Sequence, residues 1–197
     1  MRKFLLWIGF GVFIVSLCGC DGLYRLLQKE GAEEKALLGE VVPFKSNPKV
    51  LEVQKLLKLW GYGTGKTDGK FGPNTRAAIK RFQTDRKLKV SRFLDKATWA
   101  ELNQFEKYGL TNNGDLNIKA VQTALKAAKF DPGTIDGNGG RRTEEALKKF
   151  QASQGMKADG RIGARTLIGL SEYLVQQNQE SLRSPNTTNK KKKKVGH

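Results

Sequence analysis

The stretch Asp68-Gly69-Lys70-Phe71-Gly72-Pro73-Asn74-Thr75-Arg76-Ala77-Ala78-Ile79-Lys80-Arg81-Phe82-Gln83 is answered 68 residues later by Asp136-Gly137-Asn138-Gly139-Gly140-Arg141-Arg142-Thr143, with Ala146, Leu147, Phe150 and Gln151 following. Asp-Gly is a turn pair: glycine supplies a backbone angle that other residues resist, and the Asp side chain closes the turn on nearby amides. After the turn, Ala78, Ile79 and Phe82 fall on one side of a helix that Pro73 can start, and Ala146, Leu147 and Phe150 repeat that face. The same shift pairs Val53-Gln54 with Val121-Gln122, Leu57 with Leu125, Tyr62 with Phe130, Thr98 with Thr166 and Leu102 with Leu170. Matches at one spacing and without a gap mark a duplicated folding unit of about 60 residues.

Outward from the turn, each unit gains a helix on either side. Val50, Val53, Leu57 and Trp60 form an apolar stripe at spacings 3, 4 and 3, as do Ile118, Val121, Leu125 and Ala128. Asn47, ahead of Pro48, is placed to cap the first of these helices, and Asn117 the second. A third, shorter helix starts at Asp95 and buries Trp99 and Leu102, matched by Leu167 and Leu170. The expected fold is therefore all-α, two tandem small three-helix bundles over residues 47–108 and 115–178. Units of this size are marginal alone, so packing between them is expected to help. The connector from Phe105 to Leu116, with Gly109, Asn112, Asn113 and Gly114, is read as a loop.

The flanks differ in character. Met1 to Lys3 is a positive start, followed by uncharged and mostly apolar residues from Phe4 to Gly19, the pattern of an export signal and short for a membrane span. Residues 20–46 are expected to be a spacer without a sustained apolar pattern. Residues 179–197, ending in Lys190 to Lys194, are expected to be a disordered, Lys-rich tail. Thirty-six Lys+Arg against 19 Asp+Glu give a net charge of +17, favouring polyanionic partners. Both units share this bias: Lys49 to Lys107 holds 14 basic and 6 acidic residues, a balance of +8.

Both cysteines, Cys18 and Cys20, precede the repeats, and the single histidine is His197. The repeats therefore hold no thiol nucleophile and no usual zinc set, and no cofactor or metal is expected. A glycosidase pair of carboxylates would need a domain of its own, which neither spacer nor tail can house.

The spacing Val-Gln-x-x-Leu, then Asp-Gly-x-Phe-Gly-x-x-Thr, then Ala-hydrophobic-x-x-Phe-Gln resembles the type 1 peptidoglycan-binding family. It is carried at Val53, Gln54, Leu57, Tyr62, Asp68, Gly69, Phe71, Gly72, Thr75, Ala78, Phe82 and Gln83. The second unit departs where Gly139 replaces the Phe and Arg141 replaces Pro73, yet keeps Gly155 to Gly160, which the first has lost as Lys87 to Arg92. The resemblance implies a three-helix orthogonal bundle and a partner in the cell wall, peptidoglycan, with a non-catalytic role. At the other end, Leu17-Cys18-Gly19-Cys20 resembles a bacterial lipobox, which implies cleavage of a signal peptide 1–19 and lipidation of Cys20. Asp21 resembles the signal that keeps such a lipoprotein on the periplasmic face of the inner membrane in an enteric Gram-negative host.

The expected partners are thus peptidoglycan, the membrane through the N-terminal lipid, and a cell-wall hydrolase or anionic wall polymer, with nucleic acid not expected after export. Alternative roles are an accessory or targeting subunit of a hydrolase, and a basic module for anionic polymer or lipid. For the first unit the candidate wall-binding residues are Tyr62, Asp68, Phe71, Gly72, Thr75 and Arg76; for the second, Asp136, Gly140, Arg141 and Thr143. The reading behind them is that helix-start amides attract a stem-peptide carboxylate with help from Arg76, while Phe71 or Tyr62 packs on peptide or sugar. Asp68, Gly69, Asp136 and Gly137 also have a purely structural reading, as the turn itself.

Overall fold

The computed structural model describes residues 29–42 and 45–183. The signal peptide, the Cys20 lipidation site and residues 184–197 lie outside the described residues. Within them the chain runs as helix α1 (29–38), α2 (Pro48–Leu59), α3 (Pro73–Asp85), α4 (Lys96–Leu102), a 3-10 turn (Glu106–Tyr108), β1 (Thr111–Asn112), β2 (Asp115–Leu116), α5 (Ile118–Ala127), α6 (Arg141–Ser153) and α7 (Ala164–Arg183). The duplicated helices are α2 with α5, α3 with α6 and α4 with α7.

The caps follow the sequence. Asn47 Oδ1 accepts from the amides of Lys49 and Val50, Asn117 Oδ1 from Ala120, and Asp95 Oδ1 from Thr98. These bonds satisfy amides that a helix start leaves without a partner. Helices α2, α3 and α5 end alike. After α2, the Tyr62 amide donates to the Leu57 carbonyl at 2.8 Å and the Gly61 amide to Lys58 at 3.0 Å. Leu88 and Lys87 close α3 in this way, and Phe130 and Lys129 close α5. Such an ending needs a left-handed residue. It is Gly61 (φ 89) after α2, but Lys129 (φ 64) at the matching place after α5 and Lys87 (φ 56) after α3, where the second unit has Gly155 (φ 62). The duplication has kept the backbone while losing the residue that suits it. Lys129→Gly is expected to stabilise the fold by about 1 kcal/mol, because a left-handed angle costs an L-residue about 1–2 kcal/mol and glycine gives part of that back in unfolded-chain freedom. Denaturant titration checks this, and an unchanged or lower midpoint would contradict it.

Two apolar clusters form. The first gathers Val50, Val53, Leu56, Leu57, Ala78, Ile79, Phe82, Leu94 and Leu102. The second gathers Val121, Ala124, Leu125, Ala146, Leu147, Phe150, Leu167 and Leu170. The stripes read from the sequence are the buried ones, except that Trp60, Trp99 and Ile118 are only half-buried. Lys49 Nζ lies 5.3 Å from the centre of the Trp99 ring.

Four expectations are corrected. First, the connector is not a plain loop: β1 and β2 pair antiparallel around Asn113 and Gly114, both with positive φ, as a two-residue hairpin requires. Second, Phe105, assigned by the repeat to the first unit, is buried in the second cluster together with Leu110 from the connector. Trp60 binds the clusters together. Its ring stacks on Phe105 at 5.3 Å, meets Phe82 edge-on at 5.4 Å, and its indole N–H donates to the Leu102 carbonyl. Lys55 and Asp115 add an ion pair across the same seam. Third, α7 is not short and carries helix through Arg183, into the stretch expected to be a disordered tail. Among the described residues no helix is long and apolar enough to cross a membrane.

The fourth correction is α1, which occupies part of the expected spacer. Its buried residues are Glu30, Glu34 and Leu38, one turn apart, facing the first unit. Leu38 joins the first cluster, with Leu37 and Val41 beside it. Burying one leucine contributes about 2 kcal/mol. That is of the order needed to fix only one or two residues of backbone, so ion pairs must share in holding α1.

Candidate functional site

The Asp-Gly turn is fastened from below by a glutamine on the preceding helix. Gln54 is 1% exposed. Its Oε1 accepts from the amides of Asp68 and Gly69 at 3.0 and 2.8 Å, while its Nε2 donates to the Lys70 carbonyl at 3.0 Å and Thr75 Oγ1 at 3.2 Å. Asp68 Oδ1 in turn accepts from the Lys70 amide at 2.9 Å. In the second unit Gln122 does the same, with Oε1 accepting from Gly137 and Nε2 donating to Asp136, Asn138 and Thr143.

Each unit contains this device twice. Gln83 Nε2 donates to Ser91 Oγ, the Phe93 carbonyl and Thr98 Oγ1, and its Oε1 accepts from Arg92. Gln151 repeats the pattern on Asp159, Arg161, Thr166 and Gly160. Four loops thus share one geometry, each closed by an Asp or Ser acceptor and each followed by a buried Thr at the third position of the next helix. Even Arg92 keeps the left-handed angle (φ 69) of its glycine counterparts.

This geometry decides several candidate residues. Thr75 and Thr143 are 1% and 3% exposed and bonded to the glutamines, which gives both a structural part in closing the turn. Asp68 and Asp136 spend an oxygen on their own turns, and both carboxyls are held below the usual range. The Lys70 amide is the chief cause for Asp68; for Asp136, brought to about 2, it is the Gln122 side chain, then the Asn138 amide. Gly69 has the backbone angle its turn needs (φ 73), and a side chain there would meet the Asn47 carbonyl at 2.9 Å.

Tyr62 is not an open platform either. It is half-buried with its ring edge-on to Phe82, and its hydroxyl donates to Asp85 at 2.8 Å. Burial, with Asp85 beside it, pushes that hydroxyl's pKa up to about 12. Gly72 and Gly140 start α3 and α6, and neither helix start is capped by a side chain, as the sequence reading requires. Asp136, Gly140, Arg141 and Thr143 come together around a pocket of about 260 Å³. The Arg141 side chain is 90% exposed there and, among the described residues, pairs only with Glu145 on the next turn.

Phe71 and Arg76 do meet, but as parts of a different site. The Arg76 guanidinium lies between two rings, 4.1 Å from the centre of Phe71 and 4.8 Å from Phe93. Its Nη1 and Nη2 donate to the Glu34 carboxylate of α1 at 2.5 and 2.7 Å, and the Leu94 amide donates to the same carboxylate at 2.8 Å. The Glu34 carboxylate is thus received by a stacked arginine and by the amide ahead of α4. Glu34, Phe93 and Leu94 were absent from the sequence reading. Among the described residues no cluster of His, Cys, Asp and Glu could hold a metal ion.

The comparisons fall on the same two units. Residues 46–102 and 114–168, more than half of the chain, match the family described as "Putative peptidoglycan binding domain". The chain belongs to the peptidoglycan-binding domain family. Among curated proteins it is 30% identical over 103 residues to the N-acetylmuramoyl-L-alanine amidase CwlM of Mycobacterium tuberculosis, covering 47% of this chain and 25% of that protein. It is 32% identical over 107 residues to a spore cortex-lytic enzyme of Bacillus cereus, covering 51% of this chain and 33% of that protein. The chain thus spans a third or less of the length of these relatives. No solved structure matches it. Its membership gives it a tandem pair of wall-binding modules, and in both modules the glutamine-fastened turn is complete.

Proposed function

We propose that this protein is a non-catalytic peptidoglycan-binding lipoprotein, held to the membrane by a lipid on Cys20 and to the cell wall by its two family units. The observation that carries the reading is the tandem family match, on units whose turns are both intact. The lipobox-like Leu17-Cys18-Gly19-Cys20 supports the membrane end, and Asp21 supports the periplasmic face of the inner membrane where the host is an enteric Gram-negative. A second role, as the targeting or accessory partner of a wall hydrolase, is supported by the relatives, which are named as an amidase and a cortex-lytic enzyme.

The test is a pull-down of residues 21–197 with purified insoluble peptidoglycan at about 50 mM and about 500 mM salt, which separates charge from shape because screening shortens the reach of exposed charges about threefold over that range. Retention at both salts is expected. Loss at high salt would reassign the protein to anionic polymers, through its +17 charge.

A further inference from the structure

The two units differ in one groove. In the first unit it runs between Val50 of α2, Arg76 and Ile79 of α3, and Phe93 and Leu94 ahead of α4. Helix α1 lies in it. Besides the Glu34 contacts, the Lys96 amide donates to Glu33 at 3.3 Å, Lys89 pairs with Glu30, and Asn47 Nδ2 donates to the Leu38 carbonyl at 3.0 Å. Leu38 is 4% exposed at the groove floor. Moved by 68 residues, the same positions are Ile118, Glu144, Leu147, Arg161 and Ile162. In the second unit these line an open cavity of about 550 Å³. What fills this kind of groove in the first unit is a piece of the chain itself.

We infer that the groove of the first unit is a binding site for a peptide carboxylate, and that α1 is its tethered occupant, with Glu34 standing where the ligand carboxylate would sit. The inference rests on the peptidoglycan-binding reading and names its ligand class: a free carboxylate of a wall stem peptide, with an aliphatic portion beside it. The chemistry fits. A guanidinium held against two rings presents a fork to both carboxylate oxygens, and the Leu94 amide adds a third donor. Ile79 and Leu94 supply an apolar floor.

The second unit has Glu144 where Arg76 stands and Arg161 where Phe93 stands, and Glu144 pairs with Lys148 at 2.6 Å. An acidic segment such as α1 therefore matches the first groove and not the second. That α1 can leave follows from how it is held: one fully buried apolar side chain, and ion pairs whose basic partners remain 32% (Arg76) and 54% (Lys89) exposed. Residues 39–47 separate it from α2, so release does not require α2 to unwind. Tethering gives α1 an effective concentration of about millimolar, so a dilute soluble ligand competes poorly while the dense carboxylates of an insoluble wall compete well.

The experiment uses residues 21–197 as wild type, Glu34→Gln, Arg76→Gln and the double variant, with insoluble peptidoglycan as ligand. A soluble stem tripeptide at millimolar concentration serves as a probe during hydrogen exchange of residues 29–38. Glu34→Gln is expected to bind the wall about 10-fold more tightly than wild type, and adding Arg76→Gln is expected to cancel that gain. The tripeptide is expected to speed exchange across 29–38 in wild type and not in Arg76→Gln. Equal wall affinity for wild type and Glu34→Gln, with no tripeptide effect on exchange, would overturn the inference and leave α1 a brace. Absence of wall binding by all four chains would overturn the peptidoglycan reading itself, and this inference with it.

Discussion

Trp60→Ala is expected to lower the stability of the folded chain by about 3–5 kcal/mol, the range for emptying a large aromatic site, and to split one unfolding transition into two. The size follows from what the ring touches. It stacks on Phe105 and meets Phe82 edge-on, and its N–H satisfies the Leu102 carbonyl, so one truncation opens a void against both clusters. The splitting follows from position, since Trp60 and its neighbour Leu59 pack against both clusters. Denaturant unfolding followed by circular dichroism reads both effects. A single transition shifted by less than about 1 kcal/mol, within the reach of an ordinary surface change, would show that the units do not depend on this contact.

Gln54→Leu is expected to cost about 2–4 kcal/mol, although it exchanges one buried side chain for another of similar size. The cost comes from the groups left behind. The amides of Asp68 and Gly69 lose their acceptor, and Thr75 Oγ1 and the Lys70 carbonyl lose a donor, where the Gln54 side chain had excluded water. Gln54→Glu keeps the acceptor for the two amides and loses the donor, so its loss should fall between wild type and Gln54→Leu. Amide exchange at Gly69 localises the effect: it should rise sharply in the leucine variant and modestly in the glutamate variant. Equal stability of all three proteins would mean that the turn holds itself.

The residues that could be read from the sequence are those whose chemistry repeats at a helical spacing. Val50, Val53, Leu57, Phe82 and Leu102 announce a buried face because each is apolar and in register, and the structure buries all five completely. Helix α1 fails that test for a physical reason. Its docked stripe is Glu30, Glu34 and Leu38, spaced as a helix requires, but two of the three are charged and pair with Lys89 and Arg76 across the groove. A search for apolar periodicity cannot see a helix that docks through carboxylates. The signal available was acids one turn apart beside a unit with a strong excess of lysine and arginine.

The far end of α7 was missed for the opposite reason. Gln179, Glu180 and Ser181 look like tail because they are polar, yet glutamine and glutamate extend a helix at little cost once packing has nucleated it. In the candidate site, the turns were recognised but their fasteners were not. Glutamine is usually found on the surface, so Gln54, Gln83, Gln122 and Gln151 gave no hint of burial beyond their place in the repeat. Arg76 and Phe71, both candidates from the sequence, lie against each other, while the carboxylate beside them came from a segment with no pattern of its own.

Phe105 and Leu110 carry one further meaning. They stand before the second copy of the repeat and are buried within its core. The stretch that was copied in the gene's past and the stretch that folds as a body are therefore out of step by about ten residues. Transplanting the second unit into another protein by cutting at residue 115, where the repeat suggests, would leave behind an aromatic ring and a leucine that its interior requires. A graft that begins at Asn103 keeps both, and the hairpin with them. For this pair of modules the unit of inheritance is not the unit of construction.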